Sequence, residues 1–218
     1  MKSTVPSAWL VVAALIALSA VPVIGGTLRL VTVAMGIELI PGNGRFFAAP
    51  ISVTIHILSV SVFCMFGAFQ VSSSVRRQNP ARHRRTGRVL VPVGMVAALS
   101  GLWLTLVYPP GDLDGPALFV FRVVFGTAMI VFLWLGFSAI RQRDIAAHRA
   151  WMIRALAIAL GAGTQVFTHI PLSLFSDLNR EAGRALAMGG GWVLNLSIAE
   201  WIIRRSSRRR SSAGAVAP

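Results

Sequence analysis

Apolar residues along this chain are gathered into six long stretches, separated by short segments in which polar and charged residues dominate. A bilayer core of about 30 Å is crossed by roughly 20 apolar residues in a helix, because backbone polar groups in lipid must be bonded within the segment. The pattern therefore predicts an all-α, multi-pass bundle of six transmembrane helices. The predicted spans cover residues 7–28, 50–71, 89–108, 118–140, 155–173 and 185–203.

Composition excludes a soluble protein, since 55% of the residues are hydrophobic and only 13% are charged. We expect residues 1–203 to form a single integral membrane domain and residues 204–218, a polar and basic segment, to be a disordered cytoplasmic tail. The first stretch follows Lys2 as a signal peptide would. Its charge-free run is longer than a leader core of about 7 to 15 residues, so an uncleaved span is expected.

The formal net charge is +14, and the arginines that produce it concentrate in alternate loops. Six lie between spans two and three, four flank the loop between spans four and five, and five follow span six. Cytoplasmic loops carry such an excess of basic residues, so both termini are predicted to be cytoplasmic, in a bacterial inner membrane. The placement indicates membrane orientation and anionic lipid head groups as partners, with no nucleic-acid partner. The opposite loops carry Glu38, Arg45, Asp112, Asp114, Asp177, Arg180, Glu181 and Arg184.

A basic phrase occurs twice, at a constant offset of 65 residues: Arg76 with His83-Arg84, and Arg141 with His148-Arg149. Both spans that enter the phrase run in the same direction. Spans two and three and spans four and five are therefore predicted to be a duplicated hairpin forming a four-helix core, related by a pseudo-two-fold axis along the membrane normal. Spans one and six are expected to pack outside this core.

The four histidines divide by depth into two pairs. His83 and His148 start spans three and five, whereas His56 and His169 lie toward the outer surface. An imidazole in a membrane needs a partner, and imidazole is a common ligand of haem iron. The leading hypothesis is a cytochrome in which His83 and His148 hold an inner b-type haem and His56 and His169 hold an outer one.

Each pair also has a structural interpretation. His83 and His148 would bind lipid phosphates and loop carbonyls, and His169 would bond carbonyls freed at a helix end before Pro171. His56 lies in a long charge-free stretch, so a structural interhelix hydrogen bond and a ligand role are both open. The single cysteine, Cys64, excludes an intramolecular disulfide and a cysteine-based zinc site.

The remaining ionisable groups are assigned to the membrane surface. Arg122 is expected to reach outward to Asp112 and Asp114, and Glu200 to pair with Arg204 at the i+4 spacing. The arginines of the repeated phrase and of its helix starts are assigned to lipid head groups: Arg76, Arg84, Arg88, Arg141, Arg149 and Arg154.

No phosphate-binding Gly-rich loop, His-Glu-x-x-His or Gly-x-Ser-x-Gly motif occurs, which argues against nucleotide-driven pumps, zinc proteases and hydrolases. No catalytic residue can be named, so the sequence leaves open whether the chain is an enzyme. Three functions remain: a haem protein for transmembrane electron transfer, with a quinone or another redox partner; a non-enzymatic accessory protein or small-molecule carrier; and a membrane enzyme acting on a lipid or quinone.

The repeated phrases resemble two signatures of a family of bacterial predicted membrane proteins, DUF2306, and a closing motif resembles its last span. Coverage extends over most of the chain from span two onward. The resemblance implies a bundle of six or seven spans and carries no established activity. Leu90 stands where the family pattern has an aromatic residue, and the pattern has a basic residue near residues 165–169; if His169 is a feature of this chain alone, the outer haem loses a ligand. The likeness to cytochrome b561-type four-helix cores is an analogy only, since what the two share is the pairing of histidines across a duplicated bundle. The matching residues are Arg76, Pro80, His83 to Val89, Arg141 to Asp144, His148 to Arg154, Trp192 to Asn195 and Ala199 to Trp201.

Overall fold

The computed structural model describes residues 8–37, 46–47, 50–174 and 180–214. Within these residues the chain is helical, with no strand. The predicted loop residues Glu38, Arg45 and Asp177 lie outside them. The helices are α1 (Ala8–Met35), α2 (Pro50–Val71), α3 (Ser73–Gln78), α4 (Pro80–Val107), α5 (Pro116–Arg141), α6 (Ile145–Ala159), α7 (Gly161–Leu174) and α8 (Arg180–Gly214).

The predicted multi-span helical bundle is confirmed. Five described helices, α1, α2, α4, α5 and α8, are long and apolar enough to cross a membrane. The predicted fifth span is instead the pair α6 and α7, which are bent by 48° at Leu160 and count as a sixth span if they cross together. The sequence does not predict this bend.

Four helices form a closed ring in the order α2, α4, α5, α6, in which each helix packs against the next and α6 packs against α2. This ring is the four-helix core that the duplication predicts. Its centre holds Phe63, Leu90, Leu133 and Leu156, which are at most 5% exposed. Helix α1 lies against α2 and α7, and α8 lies against α5, α6 and α7, so both pack outside the ring.

The helices extend beyond the apolar stretches, most clearly at the repeated basic phrase. Helix α4 begins at Pro80 rather than near residue 89, and α6 begins at Ile145 rather than near 155. The reason is local, because Asn79 and Asp144 accept backbone N–H bonds as N-caps and Pro80 suits the first helical turn. Hydropathy locates the apolar part of a membrane helix and does not detect a polar first turn.

The predicted disordered tail differs from the structure over residues 204–214, which continue α8 without a break. Its serines are compatible with a helix because Ser206 and Ser207 donate their hydroxyls to the carbonyls of Ile202 and Ile203, one turn earlier. Residues 215–218 lie outside the described part of the chain.

Candidate functional site at the arginine-rich end

The arginine-rich end is defined as the end of the ring where α2 and α5 finish and α4 and α6 begin. His83 and His148 occupy equivalent places there. Each backbone N–H donates to the carbonyl of the N-cap residue four positions earlier, His83 to Asn79 at 3.1 Å and His148 to Asp144 at 3.0 Å. Residues that are 65 positions apart therefore occupy equivalent structural positions, as the two N-cap residues and the two histidines show.

His83 and His148 lie on opposite helices of the ring and within electrostatic range of each other. Arg76 and Arg84 lie within range of the same His83 ring. Both imidazoles are partly exposed. The structure thus places the two histidines of the predicted inner pair at the same end of the ring, with two arginines near His83.

The ring of His148 has a defined orientation. Its Nδ1 lies 2.8 Å from the carbonyl oxygen of Gly136 on α5. A carbonyl oxygen only accepts, so Nδ1 carries the proton and donates. The lone pair is then on Nε2, which is the atom that can take a ligand.

There is open space beside His83, at Gly87. Gly87 lies one turn after His83 on the same face of α4, and a side chain there would meet only Gln70 Oε1, at 3.9 Å. Gly94, further along α4, is tightly covered, because a Cβ there would lie 2.6 Å from Phe63. The arginine-rich end is therefore less densely packed between α2 and α4 than the middle of the ring.

The outer histidines have separate partners. Nδ1 of His56 on α2 lies 3.0 Å from the Ala97 carbonyl and 3.2 Å from Ser100 Oγ, both on α4, so this ring bonds two helices together. Nδ1 of His169 lies 2.6 Å from the Gln165 carbonyl in its own helix, α7. No group of three or more His, Cys, Asp or Glu suitable for a metal ion occurs among the described residues.

The arginines assigned to head groups have several environments. Arg154 forms an ion pair with Glu200 of α8, its Nη2 lying 3.1 Å from Oε2, and its guanidinium lies 4.5 Å from the Trp151 ring centroid. The predicted pairing of Glu200 with Arg204 is therefore corrected, because α6 and α8 pack side by side and bring Arg154 to the carboxylate. Arg141 lies over the Phe137 ring, whereas Arg84 and Arg88 are exposed.

At the opposite end, Asp114 in the α4–α5 connection binds two helices. Its carboxylate accepts from Arg122 of α5 at 2.9 and 3.1 Å, from Arg184 of α8 at 3.1 Å and from the Gly111 backbone. Burial by itself would raise the pKa of Asp114, but the bonds and charges of Arg122, the Gly111 N–H and the charge of Arg184 hold this pKa well below its ordinary value. The predicted contact of Arg122 with Asp114 is confirmed, and Arg184 is an additional partner.

Residues 53–203 match the model of the predicted membrane protein family DUF2306. The chain belongs to the DUF2306 family. Neither curated proteins nor solved structures gave a match. The DUF2306 region contains the whole four-helix ring except the first turn of α2, and it ends within α8, past Glu200.

Sequence reasoning missed a polar seam within the DUF2306 region, between the broken helix and α8. It is defined by the buried residues Thr164, Gln165 and Asn195. The Asn195 amide donates to the Ala157 carbonyl at 3.0 Å and its oxygen accepts from Thr164 at 2.8 Å, while Gln165 donates to the Met188 carbonyl at 3.1 Å. Polar residues isolated inside apolar stretches are the signal that could have found it.

Proposed function

We propose that this DUF2306 protein binds one b-type haem between His83 and His148 and transfers electrons at its arginine-rich end. The observation that carries the proposal is the equivalent placement of these two histidines, one from each repeat, at the same end of opposite helices of the ring and within electrostatic range of each other. Paired histidines from facing helices are a usual way for a helical bundle to hold haem.

The environment of the two rings supports this proposal. The bond from His148 to Gly136 matches the usual support of a metal-bound imidazole, in which the second ring nitrogen donates to a carbonyl and fixes the tautomer. Space at Gly87 allows a flat group to approach the backbone of α4. Arg76 and Arg84 would pair with the two propionates, since guanidinium binds carboxylates well.

When bound, a haem supplies a reversible one-electron carrier, and this chain's own residues hold and orient it. We restrict the proposal to one haem, because His56 and His169 hydrogen-bond to different helices. A quinone dissolved in the bilayer is the redox partner that we propose.

The test is the absorption spectrum of detergent-purified protein expressed with ample haem, before and after dithionite, with a pyridine haemochrome assay to count haems. We expect a Soret band and one haem per chain. His83→Ala and His148→Ala should each lose most of the bound haem. His169→Ala is the matched control and should retain it, because that ring bonds within its own helix.

His148→Ala removes the bond to Gly136 as well as the proposed ligand, so its effect on haem binding could come from either loss. A second variant therefore keeps both histidines. Gly87→Leu fills the space beside Gln70 and should lower haem occupancy while circular dichroism and size-exclusion elution stay unchanged. The proposal is overturned if the wild-type protein has no Soret band, or if both histidine variants keep their haem.

A small-molecule carrier is the second candidate, and the broken helix favours it. Discontinuous helices facing polar side chains form substrate sites in many transporters. Here the 48° bend between α6 and α7 lies beside Thr164, Gln165 and Asn195. This candidate predicts a colourless protein whose Asn195→Leu variant loses binding of the carried solute, with no change on His83→Ala.

We also infer that the arginine-rich end faces the cytoplasm of a bacterial inner membrane, because basic loops are retained on that side. The check is labelling of single cysteines in intact cells, in a Cys64→Ser background. A cysteine at exposed Asp112 should react with an impermeant maleimide, and one at exposed Arg85 should not. The reverse result would invert the orientation.

A further inference from the structure

Helix α8 carries an open groove along one of its faces. The groove has a volume of about 450 Å³ and is open to the outside. Its lining residues all belong to α8, and two of them also contact the rest of the bundle: Leu196 packs against the hydrophobic core and Glu200 pairs with Arg154 of α6. The residues that line it are Val193, Leu196, Ser197, Glu200, Trp201 and Arg204.

The length and polarity of this groove match one leaflet of a bilayer. Val193 and Arg204 are 11 residues apart, so the groove is about 16 Å long, roughly half of the 30 Å hydrocarbon core. Its lining is mainly apolar at the Val193 end. Its other end is basic, because Arg204 is exposed there and is followed by exposed Arg205 and Arg208. A phospholipid is divided in the same way, into an apolar acyl chain and an anionic phosphate.

Two contacts make the basic end suitable for a phosphate. Glu200 would repel an anion, but Arg154 of α6 already neutralises it in an ion pair. The guanidinium of Arg205 lies 5.2 Å from the centroid of the Trp201 ring, so the indole that forms one wall is held in place. Arg204 is then the lining residue that carries an exposed positive charge at head-group depth.

We propose that this groove binds one anionic phospholipid, with an acyl chain along Val193 and Leu196 and the phosphate at Arg204. The proposal is independent of haem binding, since the groove lies outside the four-helix ring and shares no residue with the histidine cluster. Charge complementarity selects an anionic lipid over a zwitterionic one, because each basic residue near the surface contributes about 1 kcal/mol to anionic binding.

The test uses full-length protein in detergent, titrated with phosphatidylglycerol or phosphatidylcholine and followed by native mass spectrometry. We expect one tightly bound phosphatidylglycerol. Arg204→Ala should weaken its binding about fivefold, the ratio that corresponds to about 1 kcal/mol. Arg85→Ala, an exposed arginine of α4, is the control and should not change it.

A second variant blocks the groove without removing charge. Ser197→Trp places an indole in the groove and should abolish the bound lipid, whereas Leu194→Trp, on an exposed part of α8 outside the groove, should not. Equal binding of both lipids, or unchanged binding in Arg204→Ala and Ser197→Trp, overturns the proposal. A change from dimer to monomer in Ser197→Trp, with lipid retained, also overturns it and assigns the groove to a second copy of the chain.

Discussion

The hairpin α2–α4 and the hairpin α5–α6 start their second helices in the same way and continue them differently. Asn79 and Asp144 cap the two helices at equivalent positions. Helix α4 then runs for 28 residues, whereas α6 ends after 15 and the chain bends into α7. The shared start places the two histidines, and the different continuation reflects different neighbours.

Residues 65 positions apart in the two hairpins show why α4 and α6 continue differently. Gly101 of α4 faces His56 of its own hairpin, since a Cβ added there would lie 3.0 Å from the His56 ring, and its equivalent Val166 is exposed. Val89 of α4 is exposed, and its equivalent Arg154 pairs with Glu200 of α8. The first hairpin is bonded internally through His56, while the second is bonded internally through His148 and also to α8 through Arg154. A duplicated sequence can keep its fold while one copy acquires a new partner.

The largest expected effect comes from the close approach of α7 to α1. A Cβ on Gly163 would lie far inside contact distance of the backbone carbonyl of Leu18, which cannot rotate away. The equivalent residue of the first hairpin, Ala98, carries a side chain. Gly163→Val should therefore destabilise the protein by about 3 kcal/mol, measured as a fall in the melting temperature followed by tryptophan fluorescence in detergent.

The control for this substitution is Gly190→Val in α8, where a Cβ would meet nothing within 4 Å. That variant should change stability by less than about 0.5 kcal/mol. Equal melting temperatures for the two variants would contradict the close approach of α1 and α7.

The next effect concerns the connection that joins the two hairpins. Asp114→Asn removes the charge that holds Arg122 and Arg184, which should cost about 2 kcal/mol at neutral pH. The folded pKa of Asp114 is lowered, so its stabilisation is complete above the ordinary carboxyl pKa of about 4. It is lost as the pH falls below that value toward the folded pKa.

The melting temperature of the wild type should therefore approach that of Asp114→Asn as the pH is lowered from 5 to about 2. Asp112→Asn is the control, since Asp112 is exposed in the same connection. A constant difference between wild type and Asp114→Asn over this range would show that the ion pairs do not contribute.

A smaller effect separates the two candidate partners of Glu200. A double-mutant cycle of Glu200→Ala with Arg154→Ala should give a coupling energy of about 1 kcal/mol, because both side chains are partly exposed. The matched cycle with Arg204→Ala should give a smaller coupling. A larger coupling to Arg204 would restore the pairing expected from sequence and remove this difference between the two hairpins.

The four-helix ring could be predicted because apolar stretches decide which segments enter lipid and the 65-residue repeat decides how the segments pair. The equivalent placement of His83 and His148 at one end of the ring follows from the same repeat. The bend at Leu160, the partner of Glu200 and the polar seam could not be predicted. They depend on how far each helix is rotated toward α8. At the bend, Trp192 packs tightly on Gly161, and these two residues are far apart in sequence. The ligand role of the histidines stays a prediction.

The smallest expected difference between the two hairpins lies at the helix starts that they share. Asn79→Ala and Asp144→Ala each remove an N-cap bond of 2.9 Å, and each should cost about 1 kcal/mol. Because the caps are equivalent, the two losses should agree within about 0.5 kcal/mol and add in the double variant. Asn79→Ser and Asp144→Ser should restore most of the stability, since serine caps as well. A much larger loss at Asp144 would mean that its negative charge at the start of α6 matters more than its hydrogen bond, and that the two helix starts have diverged as the rest of the hairpins have.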